Sequence, residues 1–236
     1  NEGYLAKVGE PLIQFYGYKT CGVWNSAEEI AANPHFSDDA PGGIRIVDTN
    51  NDGSLTPEDR VALGTPYPDF TWGITNTFQI KDFDISFLIQ GVQGITVLNG
   101  DVYYNETKKW NKKYTKNRWV SAEHPGDGKT PYQNVKTGHD LMLTDYPLQN
   151  ASYACLRNFT VGYTLPATAA RKIKLSGVRF YVSGSNLLYI WGSGYKGINP
   201  ESRMTSGNYS SAMISGYQRG GFPLTSTISA GFDINF

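Results

Sequence analysis

From Ser226 to Phe236 the chain reads S-T-I-S-A-G-F-D-I-N-F. Ile228, Ala230, Phe232, Ile234 and Phe236 alternate with Thr227, Ser229, Gly231, Asp233 and Asn235. A period of two specifies a β-strand with one apolar and one polar face, because successive side chains leave a strand on opposite sides. What the apolar face meets then decides the architecture. In a soluble sandwich it meets a second sheet. In a transmembrane barrel it meets lipid, and the small polar residues face a wet lumen.

Four more runs carry the same period. Asp69 to Ile80 places Phe70, Trp72, Ile74, Phe78 and Ile80 on one side, against Thr71, Gly73, Thr75, Thr77 and Gln79. Phe83 to about Val97 follows, with Phe83, Ile85, Phe87 and Ile89 opposite Asp84, Ser86 and Gln90. Lys81-Asp82 between them has the length of a two-residue hairpin, without the usual Gly or Asn. In Ser152 to Leu165, Tyr153, Cys155, Phe159, Val161 and Tyr163 form an apolar series that Arg157 interrupts, with Leu156 on the polar side. Gly177 to Leu188 sets Val178, Phe180 and Val182 against Arg179, Tyr181, Ser183 and Ser185. The shared register predicts that Phe70, Trp72, Ile74, Phe159, Val161, Phe180, Val182, Ile228, Phe232 and Ile234 all face outward.

The connections alternate in length. Lys81-Asp82 is short and Pro166 to Ser176 is fairly short, whereas Leu98 to Ala151 and Tyr189 to Pro223 are long and aromatic. Short turns at one end and long extracellular loops at the other is the outer-membrane barrel pattern. The first long loop holds Trp110, Tyr114, Trp119, Tyr132 and Tyr146 among Lys112, Lys113, Lys116 and Arg118. Those rings either stack on sugar or peptide or pack the loop on itself.

Composition agrees with a β protein: 26 Gly and 14% aromatic residues suit many strands joined by tight turns. The formal net charge of +0 gives no field that would call for nucleic acid. No apolar run is long enough for a transmembrane helix. The opening N-E-G-Y-L-A-K-V-G-E-P carries no signal-peptide pattern and reads as the interior of a longer sequence. Two cysteines, Cys21 and Cys155, make no disulfide framework. His35, His124 and His139 have no zinc or triad spacing, and no nucleophile elbow, P-loop or dinucleotide fingerprint occurs. No catalytic site is expected.

Asp48-Thr-Asn50-Asn-Asp52-Gly53-Ser54-Leu-Thr56-Pro-Glu-Asp59 matches a twelve-position EF-hand-type cation loop. Asp48, Asn50 and Asp52 take positions 1, 3 and 5, Gly53 the sharp turn, Ser54 the carbonyl position and Asp59 the last. A Ca²⁺ ion wants six to eight hard oxygens, which this spacing can wrap around it. Asp59 replaces the usual Glu, and an Asx-rich turn without metal accounts for the same residues. Thr56 and Pro57 also have the form of a helix start.

Ordered segments of the chain resemble a known family. They are P-G-G-I-R-I-V-D-T-N-N-D-G-S-L-T-P-E-D-R, L-G-T-P-Y-P-D-F-T-W-G, F-D-I-S-F-L-I-Q-G-V-Q-G, N-R-W-V-S-A-E-H-P-G, S-Y-A-C-L-R-N-F-T-V-G-Y-T-L-P, V-R-F-Y-V-S-G-S-N-L-L and the terminal strand. The set resembles the C-terminal part of SusC/RagA-like TonB-dependent outer-membrane transporters over nearly the whole chain. The resemblance implies an all-β fold, with residues 1–236 forming the C-terminal strands of a 22-stranded antiparallel transmembrane β-barrel in the outer membrane. It implies active import of oligosaccharides or peptides without covalent chemistry. The implied partners are the lipid bilayer, the remainder of the transporter with its plug, TonB acting through that plug, and a SusD-like surface lipoprotein. The alternative is a secreted, calcium-stabilised β-sandwich that binds glycans, in which the apolar faces would close on a core.

Overall fold

A computed structural model describes residues 3–102, 116–133, 141–192, 194–202 and 216–236. In chain order its strands are β1 (Tyr4–Leu5), β2 (Gln14–Gly17), β3 (Thr20–Val23), β4 (Ile44–Ile46), β5 (Val61–Gly64), β6 (Phe70–Ile80), β7 (Phe83–Gln93), β8 (Thr96–Asn99), β9 (Leu148–Asn150), β10 (Tyr153–Thr164), β11 (Gly177–Trp191), β12 (Tyr217–Gln218) and β13 (Thr227–Asn235). The five long ones form a single antiparallel sheet in the order β13-β11-β10-β7-β6. At 9 to 15 residues each, they have the length a tilted membrane-spanning strand needs.

Sequence neighbours pair because their connections at one end are short. Ile80 pairs with Phe83 across Lys81-Asp82, as expected. Lys81 has φ 54°, so it supplies the left-handed first turn position that Gly or Asn usually fills. The β10–β11 connection is a short helix, Ala167–Lys172. The expected second strand ends early. Gly94 turns the chain at φ 75°, and a Cβ there would lie 1.9 Å from an Asp69 carboxylate oxygen. The stretch expected to run to Val97 is therefore β7 plus a separate β8, which pairs with β9 and β12.

Among the described residues, nothing covers the apolar face of the large sheet. Phe70 is 57% exposed, Phe180 51%, Ile228 75% and Phe232 65%. Phe232 pairs with Phe180, Ala230 with Val182, and Val182 with Val161, so one register carries the face across three strands. Of the ten residues expected to point outward, eight are exposed and Trp72 and Val161 are half-buried. A sandwich would enclose them, so the sandwich reading fails here.

The closed cores lie elsewhere, at the end of the sheet opposite the short turns. Tyr18, Val23, Ile44, Ile46, Trp119 and Leu141 form one cluster. Ile95, Val97, Ala151 and Tyr195 form another. Trp24 is fully buried, its indole donating to Asp39 at 3.3 Å and Arg45 lying over its ring. These knots are built from the segment before β6 and from the long connections. Part of those connections is therefore folded structure rather than open loop.

Candidate functional site

The polar face of the sheet concentrates its charge in two arginine clusters, and the first comes from an irregularity. Between Leu156 and Asn158 the pairing of β10 shifts register against both β7 and β11. Arg157 is the extra residue against β7, where Leu156 and Asn158 face the adjacent Ile89 and Leu88. Against β11 the extra residue lies on β11, where Asn186 has φ 54°. A bulge re-aims side chains on either side of it. Leu156 pairs with Ile89 and Leu188 and so joins the face of Phe159. Cys155 and Tyr153 turn to the other face and are buried. The strict alternation expected across Ser152 to Leu165 is corrected accordingly: the polar side holds Tyr153, Cys155 and Arg157, and Leu156 is on the apolar one.

Arg157 spends its donors fully. Its Nη1 donates to Asn186 Oδ1 at 2.7 Å and to the Tyr189 hydroxyl at 2.8 Å. Nη2 pairs with Glu201 Oε1. The Gln90 amide oxygen, assigned to this side, accepts from Nη2 at 2.6 Å and Nε at 3.1 Å. The guanidinium fork thus ties β7, β10 and β11 to Glu201 of the connection that follows β11.

The second cluster sits near the short turns. Arg179 on β11 donates to both oxygens of Asp84 on β7, from Nε at 3.0 Å and Nη2 at 2.6 Å. Its Nη1 reaches Asp233 on β13 at 3.4 Å. The guanidinium lies 5.2 Å from the Tyr181 ring centroid. Gly162 on the intervening β10 makes this reach possible. A Cβ at that position would fall 2.4 Å from Asp84 Oδ1 and 2.5 Å from Arg179 Nη2. Gly162→Val is expected to split the pair and cost about 1–3 kcal/mol through overpacking. A lower temperature for loss of the folded, heat-modifiable gel band checks this; an unchanged band would show the wall can yield.

The cation-loop residues divide into two groups. Asp48 accepts from the Asn51 N–H at 2.7 Å and the Gly53 N–H at 2.9 Å. Asp52 accepts from the Ser54 N–H at 2.8 Å and from the Asn50 amide at 3.0 Å, and Asn50 Oδ1 accepts from the Asp52 N–H. This is a chain of Asx turns at an exposed tip. Asp59 is different, being fully buried. Its carboxylate accepts from the N–H groups of Thr49 and Thr56, both at 2.8 Å, and closes a capping box with Thr56 on the 3₁₀ turn Pro57–Asp59. Among the described residues no three His, Cys, Asp or Glu side chains converge as a metal site. The loop's fit to a cation rests on adding the Asn50 and Ser54 oxygens to those carboxylates.

Burial opposes ionisation of Asp59, yet the N–H donors from Thr56, Thr49 and Asn50 hold its carboxyl below the ordinary range. A lowered folded value means the stabilisation is present above the ordinary carboxylate value of about 4 and is lost as pH falls through the lowered one. Amide exchange at Thr49 and Thr56, taken relative to the intrinsic rate at each pH, is therefore expected to accelerate in acid. Asp59→Asn should accelerate it already at neutral pH; equal exchange in both proteins would remove the carboxylate from this role.

Of the loop residues singled out from sequence, Trp119 and Arg118 are buried, and Trp119 meets Tyr132 edge-on at 6.0 Å. Tyr146 packs against the same core. They pack the loop against the segment before β6, around Tyr18, Val23, Ile44 and Ile46. Trp110, Lys112, Lys113 and Tyr114 lie outside the described residues. Sequence reasoning missed Glu201, Asn186 and Gln90 as partners of Arg157; a lone arginine inside an apolar series was the signal available.

No protein-family model matches the chain. Over 97% of its length it is 31% identical to the TonB-dependent receptor P26 of Formosa agariphila, covering 23% of that protein. The TonB-dependent receptor SusC of Bacteroides thetaiotaomicron is 27% identical over 66% of this chain and 15% of its own length. The fold superposes on the RagAB peptide transporter with a TM-score of 0.73 at 19% identity, covering 100% of this chain and 24% of that one. In sequence and in fold the chain is SusC/RagA-like. It spans about a quarter of the length of the first relatives it matches. This SusC/RagA-like chain is an outer-membrane chain with a RagA-like barrel fold, and its relatives are receptors and transporters rather than enzymes.

Proposed function

We propose that the SusC/RagA-like chain is the C-terminal wall of a TonB-dependent transporter that imports oligosaccharides or peptides across the outer membrane. The observation that carries this is the uncovered apolar face backed by a polar face with paired charges. Lipid on one side and water on the other stabilises that arrangement. β6 and β13 each pair on one side only among the described residues. An open edge in hydrocarbon leaves backbone groups unsatisfied, so each edge takes a further strand, consistent with a barrel of 22. The short turns are then periplasmic and the long connections extracellular, where a SusD-like lipoprotein covers the mouth. TonB acts through a plug outside this segment. The relatives are TonB-dependent receptors, and RagAB, on which the fold superposes, is a peptide transporter. The test is uptake in a strain whose full-length transporter is deleted and then restored. Labelled oligosaccharide and peptide pools are offered, with and without TonB. TonB-dependent uptake of one pool supports the reading; equal uptake by the deleted strain overturns it.

The same reading includes a structural Ca²⁺ held by Asp48, Asn50, Asp52, Ser54 and Asp59, supported by their spacing and by the Asx-turn tip. Terbium luminescence that Ca²⁺ competes away, and that Asp48→Ala abolishes, is the expected result. No luminescence from the wild-type protein leaves the turn as a metal-free cap.

A further inference from the structure

The lipid-side surface is not uniform near the short turns. A groove of about 450 Å³ is lined by Val161, Tyr163, Phe180, Val182, Ala230 and Phe232. Its lining combines the small side chains of Val161, Val182 and Ala230 with the rings of Tyr163, Phe180 and Phe232. Its volume falls within the roughly 300–1,000 Å³ range of small-molecule sites. Tyr163 and Phe180 stand three to four residues from the β10–β11 turn, roughly 10–13 Å along the strands.

That turn is basic. Arg171, Lys172 and Lys174 are exposed and form no ion pair among the described residues. Ile173, between two of these lysines, is 57% exposed. Lys81 lies in the neighbouring hairpin. These two turns hold four cations against one carboxylate, Asp82. Asp84 and Asp233, the next acidic groups along the strands, are already taken by Arg179 on the opposite face. An apolar groove on the strands that lead to this basic turn, with an apolar residue set among the cations, suits a lipid with a negative headgroup. The cations hold the phosphate, and their methylene stems lie along the first carbons of the chain.

We infer that this groove and the Arg171–Lys174 turn form a binding site for an anionic phospholipid of the periplasmic leaflet. The inference rests on the barrel orientation proposed above. A cation close to an anionic surface is worth roughly fivefold in binding, so three give a preference of roughly a hundredfold over a zwitterionic lipid.

The full-length transporter, purified in detergent, is offered phosphatidylglycerol, phosphatidylcholine and lipid A, and retained lipid is counted by native mass spectrometry. Wild type is expected to keep phosphatidylglycerol in preference to the other two. Arg171→Gln/Lys172→Gln/Lys174→Gln should reduce phosphatidylglycerol to the phosphatidylcholine level. Ala230→Trp, which fills the groove, should reduce both phospholipids together. A heat-modifiable gel band confirms that each variant is folded. Equal retention of the two phospholipids by wild type, or stronger retention of lipid A, overturns the site. The orientation is read separately, from maleimide labelling of Lys174→Cys in intact cells. Labelling from outside overturns the orientation and the site with it. Protection in cells together with phosphatidylglycerol preference supports both, and protection without that preference overturns the site alone.

Discussion

Val182→Arg is expected to remove most of the assembled transporter from the outer membrane. Val182 sits at the centre of the sheet, paired with Val161 on one side and Ala230 on the other, and is 53% exposed. None of the described residues covers it, so in the barrel its neighbour is hydrocarbon. An arginine on the lipid face near the bilayer midplane costs about 2–4 kcal/mol. The adjacent position is the control. Ser183 points to the polar face, between Thr160 and Ser229. Ser183→Arg should be assembled nearly as well as wild type, because its charge stays in water. Quantifying folded barrel in outer-membrane fractions compares the two. Equal losses, or a greater loss at Ser183, would mean that the faces are assigned the wrong way round.

That the two neighbours differ so much follows from the period of two, and this part of the fold is visible in the sequence. β6, β11 and β13 begin within a residue of where alternation starts, because their opening residues keep a regular pleat. The hairpin at Lys81-Asp82 is readable from spacing alone, despite its atypical residues. β10 is different. A reader of residues assigns faces by counting, and counting fails at a bulge, which inserts one residue without a compositional mark. Leu156 and Cys155 are both apolar, so neither reveals which side the slip places it on. The long connections fail for another reason. Their small strands pair across long sequence separations, Tyr217 with Leu98 for instance, and such pairs leave no local period. For the cation loop, spacing located the turn and its cap correctly in Thr56 and Pro57. It did not reveal that Asp59 is fully buried, since burial depends on what packs above it.

The bulge also sets the second large effect. Arg157→Leu is expected to destabilise the barrel by about 2 kcal/mol and to loosen the segment around Glu201. Removing one partner of a fully buried ion pair costs about 3–5 kcal/mol, because the remaining charge is stranded. Here the Arg157 and Glu201 side chains are 21% and 26% exposed, so water recovers part of that cost. Arg157→Lys should recover little. A lysine offers a point charge where Gln90, Asn186, Tyr189 and Glu201 are served by a planar fork. The second replacement separates this account from simple loss of packing. Arg157→Leu/Glu201→Leu leaves no stranded carboxylate, so the double variant should be more stable than the sum of the two single losses predicts. Denaturation of each variant measures that coupling, and hydrogen exchange over residues 194–202 reports whether the segment has come loose. Additive losses with unchanged exchange would mean that Glu201 is held by the backbone fold of its own loop. Coupled losses with faster exchange would make Arg157 the anchor: one residue at the β10 irregularity would fasten the connection after β11 to the inner wall.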